Sequence, residues 1–277
     1  MTPWLETVGI ILVALLGVFL GKAFSRPRKA YWIVGYFLSL LLIVFLAITR
    51  YSNSLAFVPP FVWVTAGRVK FVIFSLAVTM GLTAPMSRMP YKFEKVAIYI
   101  LMAGVVFWFS VLPFLVPALI EGRLANLTTM VDSDGVCFQT TDYTCAPAAA
   151  VTVLRKLGLP AQEGEIAVLS HTSPVAGTLP GCLQTALQNR YGDKGLRCQY
   201  RRFDSVRQLK DAGLTLAVVK SAFLSDHCVA VIEVSDGMVT IADPVIGKKS
   251  LSYKQFEEIW RFSGVVLKRD SAQSPVS

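Results

Sequence analysis

The sequence predicts an α-helical transmembrane region followed by one α+β domain, with helices first and an antiparallel sheet after them. Three observations carry this reading. The chain is apolar: 54% of its 277 residues are hydrophobic and 16% charged, with a mean hydropathy of +0.55, against roughly 25% charged in an average soluble domain. Its positive charge is confined. Residues 1–125 hold 11 Lys/Arg against 3 Asp/Glu, whereas residues 126–277 hold 16 against 15, so nearly all of the net +9 lies in the apolar half. Along the second half, helical patterns then give way to short strand-like runs separated by turn residues. Basic residues flanking apolar runs orient helices in a bilayer. A nucleic-acid footprint needs a basic face on a folded domain, so nucleic acid is excluded as a partner and the lipid bilayer is expected.

Residues 1–122 read as a membrane anchor of about four helices, each near the roughly 20 apolar residues that a span requires. The first runs from Trp4 to Leu20; its basic residues follow it, which argues against a signal peptide. The second, Tyr31 to Thr49, is free of charge, and the fourth, Val96 to Ile120, carries Pro113 and Pro117 near its end. The third is read as Val69 to Pro85, with Arg68 and Lys70 snorkelling to an interface; its rival is a segment that never crosses. Glu94 is placed in a loop. Lys22, Arg26, Arg28, Lys29, Arg88, Lys92 and Lys95 lie on one side, and Arg50, Arg68, Lys70 and Arg123 on the other. If all four segments cross, the positive-inside rule puts both termini outside the cytoplasm. If the third does not, the soluble domain faces the cytoplasm.

Residues 123–133 read as a linker, 134–270 as the folded domain and 271–277 as a flexible tail. Cys145 to Gly158 predicts a compact helix with Pro147 in its first turn and glycine at its end. Helices are expected around Gly164–Ser170 and Leu179–Asn189. Strand-like runs follow at Leu196–Phe203, Leu214–Lys220, Cys228–Val234, Met238–Ala242 and Val265–Lys268, with helices at Ser205–Ala212 and Tyr253–Trp260 between them. Helices first and strands afterwards indicate an α+β domain.

The chemistry gathers around Cys145. A helix start favours a thiolate, the form that attacks carbonyl carbon. The chain has two histidines, His171 and His227. His227 opens an apolar run that turns at Ser235-Asp236-Gly237 and returns to Asp243. A two- or three-residue loop pairs positions whose numbers sum to 473 or 472, and His227 with Asp243 falls within about two positions of opposite. Imidazole and carboxylate therefore meet at one end of a hairpin, and a cysteine at a helix start completes a nucleophile, base and orienter. His171, at a helix end before a loop, reads as a solvated cap residue. Lys248-Lys249-Ser250 after Gly247 lacks the upstream glycine of a phosphate loop. Cys137, Cys182, Cys198 and Cys228 lack Cys-x-x-Cys spacing, which argues against zinc. Outside the cytoplasm they can pair in any of three ways, or stay buried thiols.

Gln139-Thr-Thr-Asp142-Tyr-Thr-Cys145-Ala-Pro147-Ala-Ala, then Asp226-His227, then Ala-Asp243-Pro244, resembles the bacteriocin-processing cysteine peptidases that cleave leaders after double glycine. More closely, it is similar to their stand-alone, papain-like, membrane-anchored bacterial relatives. The resemblance covers about residues 134–270 and implies a papain-like fold, a peptide or protein substrate and no cofactor. It also implies residence in a bacterial cytoplasmic membrane, with a separate transporter subunit as a partner to look for. Carried over, Cys145 is the nucleophile, His227 the base, Asp243 its orienter and Gln139 an oxyanion-hole donor. The family usually has glycine directly after the cysteine, where this chain has Ala146; a required backbone angle or close substrate approach there would impair activity. The alternative reading is a catalytically silent peptidase-like module that binds a peptide or partner at the membrane.

Overall fold

The computed structural model describes residues 3–25, 31–51, 57–58, 61–222 and 225–270. Arg26, Arg28 and Lys29 of the basic loop, and the tail 271–277, lie outside the described residues. The chain divides into two compact units, Met1–Leu119 and Ile120–Ser277.

The first unit is helical: α1 (Pro3–Phe24), α2 (Tyr31–Tyr51), the short α3 (Phe61–Ala66), α4 (Val69–Thr83), α5 (Lys92–Val106) and the start of α6 (Leu112–Ala125), with a π-helical turn at Phe107–Val111. Four stretches are long and apolar enough to cross a membrane: Trp4–Phe24, Tyr31–Ile48, Val69–Arg88 and Lys92–Ala125. The third, the weakest in the sequence, is the most enclosed. Gly17 and Gly21, four apart on α1, leave room for Thr79 and Thr83 of α4; a Cβ at Gly21 would stand 2.6 Å from that of Thr83. Gly81 of α4 makes the same close approach to Ser39 of α2. Small residues at this spacing bring helix backbones together without a hydrophobic driving force. The hydroxyls bond within their own helices, Thr79 to the Ser75 carbonyl at 2.7 Å and Thr83 to that of Thr79 at 2.6 Å.

Arg68 has a partner that the sequence does not reveal: it pairs with Glu6, and its guanidinium lies 5.1 Å over the Phe114 ring. A carboxylate 62 positions away carries no local signal. Glu94 lies in the first turn of α5, not in a loop, where the helix dipole favours an acid.

The second unit begins with the end of α6 and a small hairpin, β1 (Met130–Val131) with β2 (Cys137–Phe138). Much of the expected linker is thus structured. Helix α6 runs to Ala125, and the Asp132 side chain accepts the Val136 N–H across the hairpin turn at 2.8 Å. Three helices follow, α7 (Cys145–Lys156), α8 (Glu163–Leu169) and α9 (Pro180–Tyr191). Then come β3 (Leu196–Arg202), α10 (Val206–Ala212), β4 (Thr215–Ala222), β5 (Ser225–Ser235), β6 (Met238–Asp243), β7 (Gly247–Ser252), α11 (Tyr253–Ile259) and β8 (Trp260–Arg269). Six strands form one antiparallel sheet in the order β3-β8-β4-β5-β6-β7.

Strand alternation sorts the core into two layers. Leu216, Cys228, Ala230, Ala242, Val265 and Leu267 pack with Ala148–Ala150, Val153 and Leu154 of α7 and with Leu183 and Leu187 of α9. Their neighbours Ala217, Val219, Val229, Val231, Val239, Ile241 and Val266 face the other way, against α10, α11 and the cluster of Phe203, Phe256 and Trp260. With both faces covered, β4 and β5 read as nearly continuous apolar runs. Strand β7 was not expected from the sequence. At the sheet edge it buries only Gly247 and Leu251, so its lysines show no alternation that a sequence pattern can detect.

Candidate active site

Helix α7 delivers Cys145 as its first residue. The preceding turn is closed locally: the Thr144 N–H donates to the Thr141 carbonyl, and the Thr141 N–H to Thr144 Oγ1. Behind the cysteine, a run of small residues lets α7 lie flat on the sheet. Ala148, Ala149 and Ala150 are fully buried. The helix ends at Gly158, whose φ of +71° suits glycine.

Strands β5 and β6 bring in the other two groups. Near the turn their partners sum to 473, as in Ser235 with Met238 and Val234 with Val239; beyond a bulge between Val231 and Glu233 they sum to 472, as in Ala230 with Ala242. The bulge accommodates one extra residue in β5. His227 near the start of β5 and Asp243 at the end of β6 meet, with Nε2 2.8 Å from Oδ1. Cys145 lies close enough to this imidazole to favour its protonated form.

The electrostatics follow from this geometry. Burial alone lowers the affinity of His227 for a proton, but the hydrogen bond to Asp243 and the nearby Cys145 outweigh it and raise its pKa to about 9. Burial likewise works against ionised Asp243, yet the bond from His227 and the backbone N–H groups of Val245 and Ile246 hold its carboxyl below the usual range. The Val245 N–H donates to Oδ1 at 2.8 Å. A raised histidine stabilises the fold fully below its ordinary value of 6.5, and that contribution is lost as pH rises through about 9. A depressed carboxyl contributes above its ordinary 3.8, and that contribution is lost on further acidification. The ion pair is therefore fully expressed between those two ordinary values and fades toward pH 9.

Gln139 follows β2 directly. Its backbone N–H donates to the Pro244 carbonyl at 3.0 Å, tying it to the turn that bears Asp243. Its side-chain Oε1 is buried and makes no hydrogen bond among the described residues.

Ala146 sits in the first turn of α7, buried against the helical core layer. Among the described non-glycine residues only His171 and Phe262 have positive φ. Neither a special backbone angle nor a methyl projecting into open space distinguishes the position. His171 adopts its φ of +53° just past the end of α8, where its N–H returns to the Val168 carbonyl. Lys248 and Lys249 are edge-strand residues, and Lys248 pairs with Asp134 at 3.4 Å.

All five cysteines are free thiols. Burial pushes Cys137 up to about 12, with the Glu163 carboxyl adding to it, and pushes Cys198 up to about 12 as well. Cys228 is driven well above its ordinary value by burial and by Cys145 and Asp243 nearby. Iodoacetamide at neutral pH is therefore expected to alkylate half-buried Cys145 on the order of tenfold faster than these three. Peptide mapping of the alkylated chain reads this out, and equal labelling of all four would contradict a primed nucleophile.

A helical layer that presents a cysteine to a histidine–aspartate pair on an antiparallel sheet is the arrangement of papain-like cysteine peptidases. The chain belongs to the peptidase C39 family, whose pattern matches residues 134–274. An uncharacterized protein of Methanothermobacter thermautotrophicus is 27% identical over 143 residues, covering 52% of this chain and 94% of its own length. One from Methanothermobacter marburgensis is 26% identical over 145 residues, covering 52% and 96%. Among solved structures, the peptidase domain of Streptococcus ComA, a bi-functional ABC transporter involved in quorum sensing, is 19% identical, covering 48% of this chain and 96% of its own, with a TM-score of 0.42. A double glycine motif protease from an AMS/PCAT transporter, solved in complex with the leader peptide, is 17% identical, covering 52% and 93%, with a TM-score of 0.40.

Glu163 and Thr140 escaped the sequence reading. An acid in the first turn of a helix looks like an ordinary partner of the helix dipole, and nothing in the sequence reveals that it is fully buried.

Proposed function

We propose that this chain is a membrane-anchored cysteine peptidase that hydrolyses peptide bonds through Cys145, His227 and Asp243, with leader peptides as its substrates. The observation that carries the proposal is the 2.8 Å His227–Asp243 contact, with Cys145 at the start of α7 near enough to raise the His227 pKa. In this reading the Cys145 thiolate attacks a peptide carbonyl carbon. The Gln139 side-chain amide and the Cys145 backbone N–H stabilise the resulting oxyanion. His227, protonated, gives its proton to the departing amine and then takes one from the water that opens the thioester. Asp243 holds the ring in place and balances its charge. Leader processing rests on the resemblance around Gln139 and Cys145, and a separate transporter subunit is the partner this reading would supply with trimmed cargo.

The test is cleavage of a synthetic peptide containing an internal Gly-Gly by the detergent-solubilised full-length chain. Cleavage is expected after the second glycine, with activity falling as pH rises through about 9, because His227 then lacks the proton the leaving amine needs. A rate that keeps climbing well above pH 9 would remove His227 from that role.

The anchor and its orientation are part of the same proposal. Four segments long and apolar enough to cross, with the basic excess around residues 22–29 and 88–95, support a peptidase domain outside the cytoplasm if all four cross. A reporter fused after Ser277 and active only in the cytoplasm is expected to be silent. A bright signal would reverse the orientation.

A further inference from the structure

We infer that Glu163 is a positioning residue for Gln139; this rests on the peptidase reading above and deepens it. Glu163 opens α8 and is fully buried. Both of its carboxyl oxygens are taken by one residue, Thr140: the Thr140 N–H donates to Oε1 at 2.9 Å, and Thr140 Oγ1 donates to Oε2 at 2.6 Å. Thr140 directly follows Gln139, whose own N–H is held by the Pro244 carbonyl. Gln139 is thus clamped from two sides, by the turn that carries Asp243 and by Glu163 through the next residue.

The clamp has a fixed base. The Glu163 N–H donates to Thr129 Oγ1 at 2.9 Å, and Gly164 lies against the Leu124 carbonyl so closely that no Cβ would fit. The Thr128 carbonyl stands 3.0 Å from Thr140 Oγ1. Helix α8, the chain leaving α6 and the strand bearing Gln139 therefore converge on one buried carboxyl. Without it, the Thr140 N–H loses its partner, the Thr140 hydroxyl keeps only the Thr128 carbonyl, and Gln139 keeps only the Pro244 bond. An oxyanion donor acts only while it is held where charge develops, so its support matters to the rate and not to the thiol itself.

The geometry separates a bridging role from a merely charged one. In Glu163→Gln the amide oxygen still accepts the Thr140 N–H. Its NH2 can donate to Thr140 Oγ1, whose proton then goes to the Thr128 carbonyl. The bridge survives without the charge. In Glu163→Ala it is gone. Three readouts on the solubilised full-length chain test this: amide hydrogen exchange of the 137–144 segment, the p-nitrophenolate burst from p-nitrophenyl acetate, and alkylation of Cys145 by iodoacetamide, which needs no oxyanion donor.

For Glu163→Ala, exchange at Thr140 is expected to rise and the acylation burst to slow, each by about tenfold or more, with alkylation nearly unchanged. Glu163→Gln is expected to restore both. Should Glu163→Ala fail to fold, Thr140→Val, which removes the hydroxyl contacts with Glu163 and Thr128 but keeps the N–H bond, is expected to show the same pattern more weakly. Wild-type exchange and wild-type burst in Glu163→Ala would overturn the inference, as would a Gln variant as impaired as the Ala variant. If the wild-type chain gives no burst while exchange responds as expected, the peptidase reading fails and the clamp stands.

Discussion

Replacing Cys145 with alanine is expected to abolish peptide cleavage while leaving the fold intact. The thiol is half-buried at the edge of the α7 layer, and the residues behind it that make the core, Ala148 to Leu154, are untouched by the change. Loss of the nucleophile removes the covalent route altogether; in comparable hydrolases only the residual catalysis of binding and oxyanion stabilisation survives. The readout is cleavage of the Gly-Gly peptide, together with complementation of a deletion strain at matched protein level. A silent binding module would retain full function in cells with alanine at this position, since a single methylene-thiol group contributes little to a recognition surface. The structure removes one ground for that alternative: Ala146 has an ordinary helical environment and buries its methyl in the core. Full complementation by Cys145→Ala would nevertheless overturn the peptidase reading.

The second large effect is expected from Asp243→Asn, which should lower turnover by up to the roughly 10²–10⁴-fold that a positioned general acid contributes. Three interactions converge on this side chain: the bond from His227 Nε2 and the N–H groups of Val245 and Ile246. An asparagine oxygen can accept the backbone donors, so the turn should survive. It carries no charge to balance the imidazolium, so less of His227 holds the proton it must give. Because Asp243 is one of the groups that hold the His227 pKa near 9, the alkaline limb of the residual activity should also move to lower pH. Titration of the His227 imidazole by NMR in the two proteins checks this independently of any substrate. An unchanged histidine in Asp243→Asn would show that Asp243 does not support it.

The parts of this molecule that are legible in sequence share a physical reason. Helices α7 and α9 carry their boundaries locally, a proline near the start or a glycine at the end, and the buried strands β4 and β5 have both faces covered. The β5–β6 hairpin was readable because turn residues set its register, and both expected sums occur on either side of the Val231–Glu233 bulge. What escaped depends on contacts distant in sequence. Strand β7 exists through its pairing with β6, not through its own residues, four of which are partly or fully exposed. Arg68 finds Glu6 across 62 positions. Glu163 looks like a surface acid until Thr140, 23 residues earlier, folds over it. The proposed nucleophile is marked by its neighbours in sequence, whereas the groups that would hold the proposed oxyanion donor are not.

In the proposed mechanism Cys145 forms a thioester with a peptide carbonyl under the control of His227 and Asp243. The most direct measurement is the intact mass of the solubilised full-length chain, quenched in acid shortly after mixing with a p-nitrophenyl ester of a peptide ending in Gly-Gly. The account predicts one added peptidyl group that maps to Cys145 after digestion and is strongly diminished in His227→Ala and Asp243→Asn. A chain that stays at its unmodified mass while Cys145 remains free for iodoacetamide would contradict it, as would a label spread evenly over the other thiols.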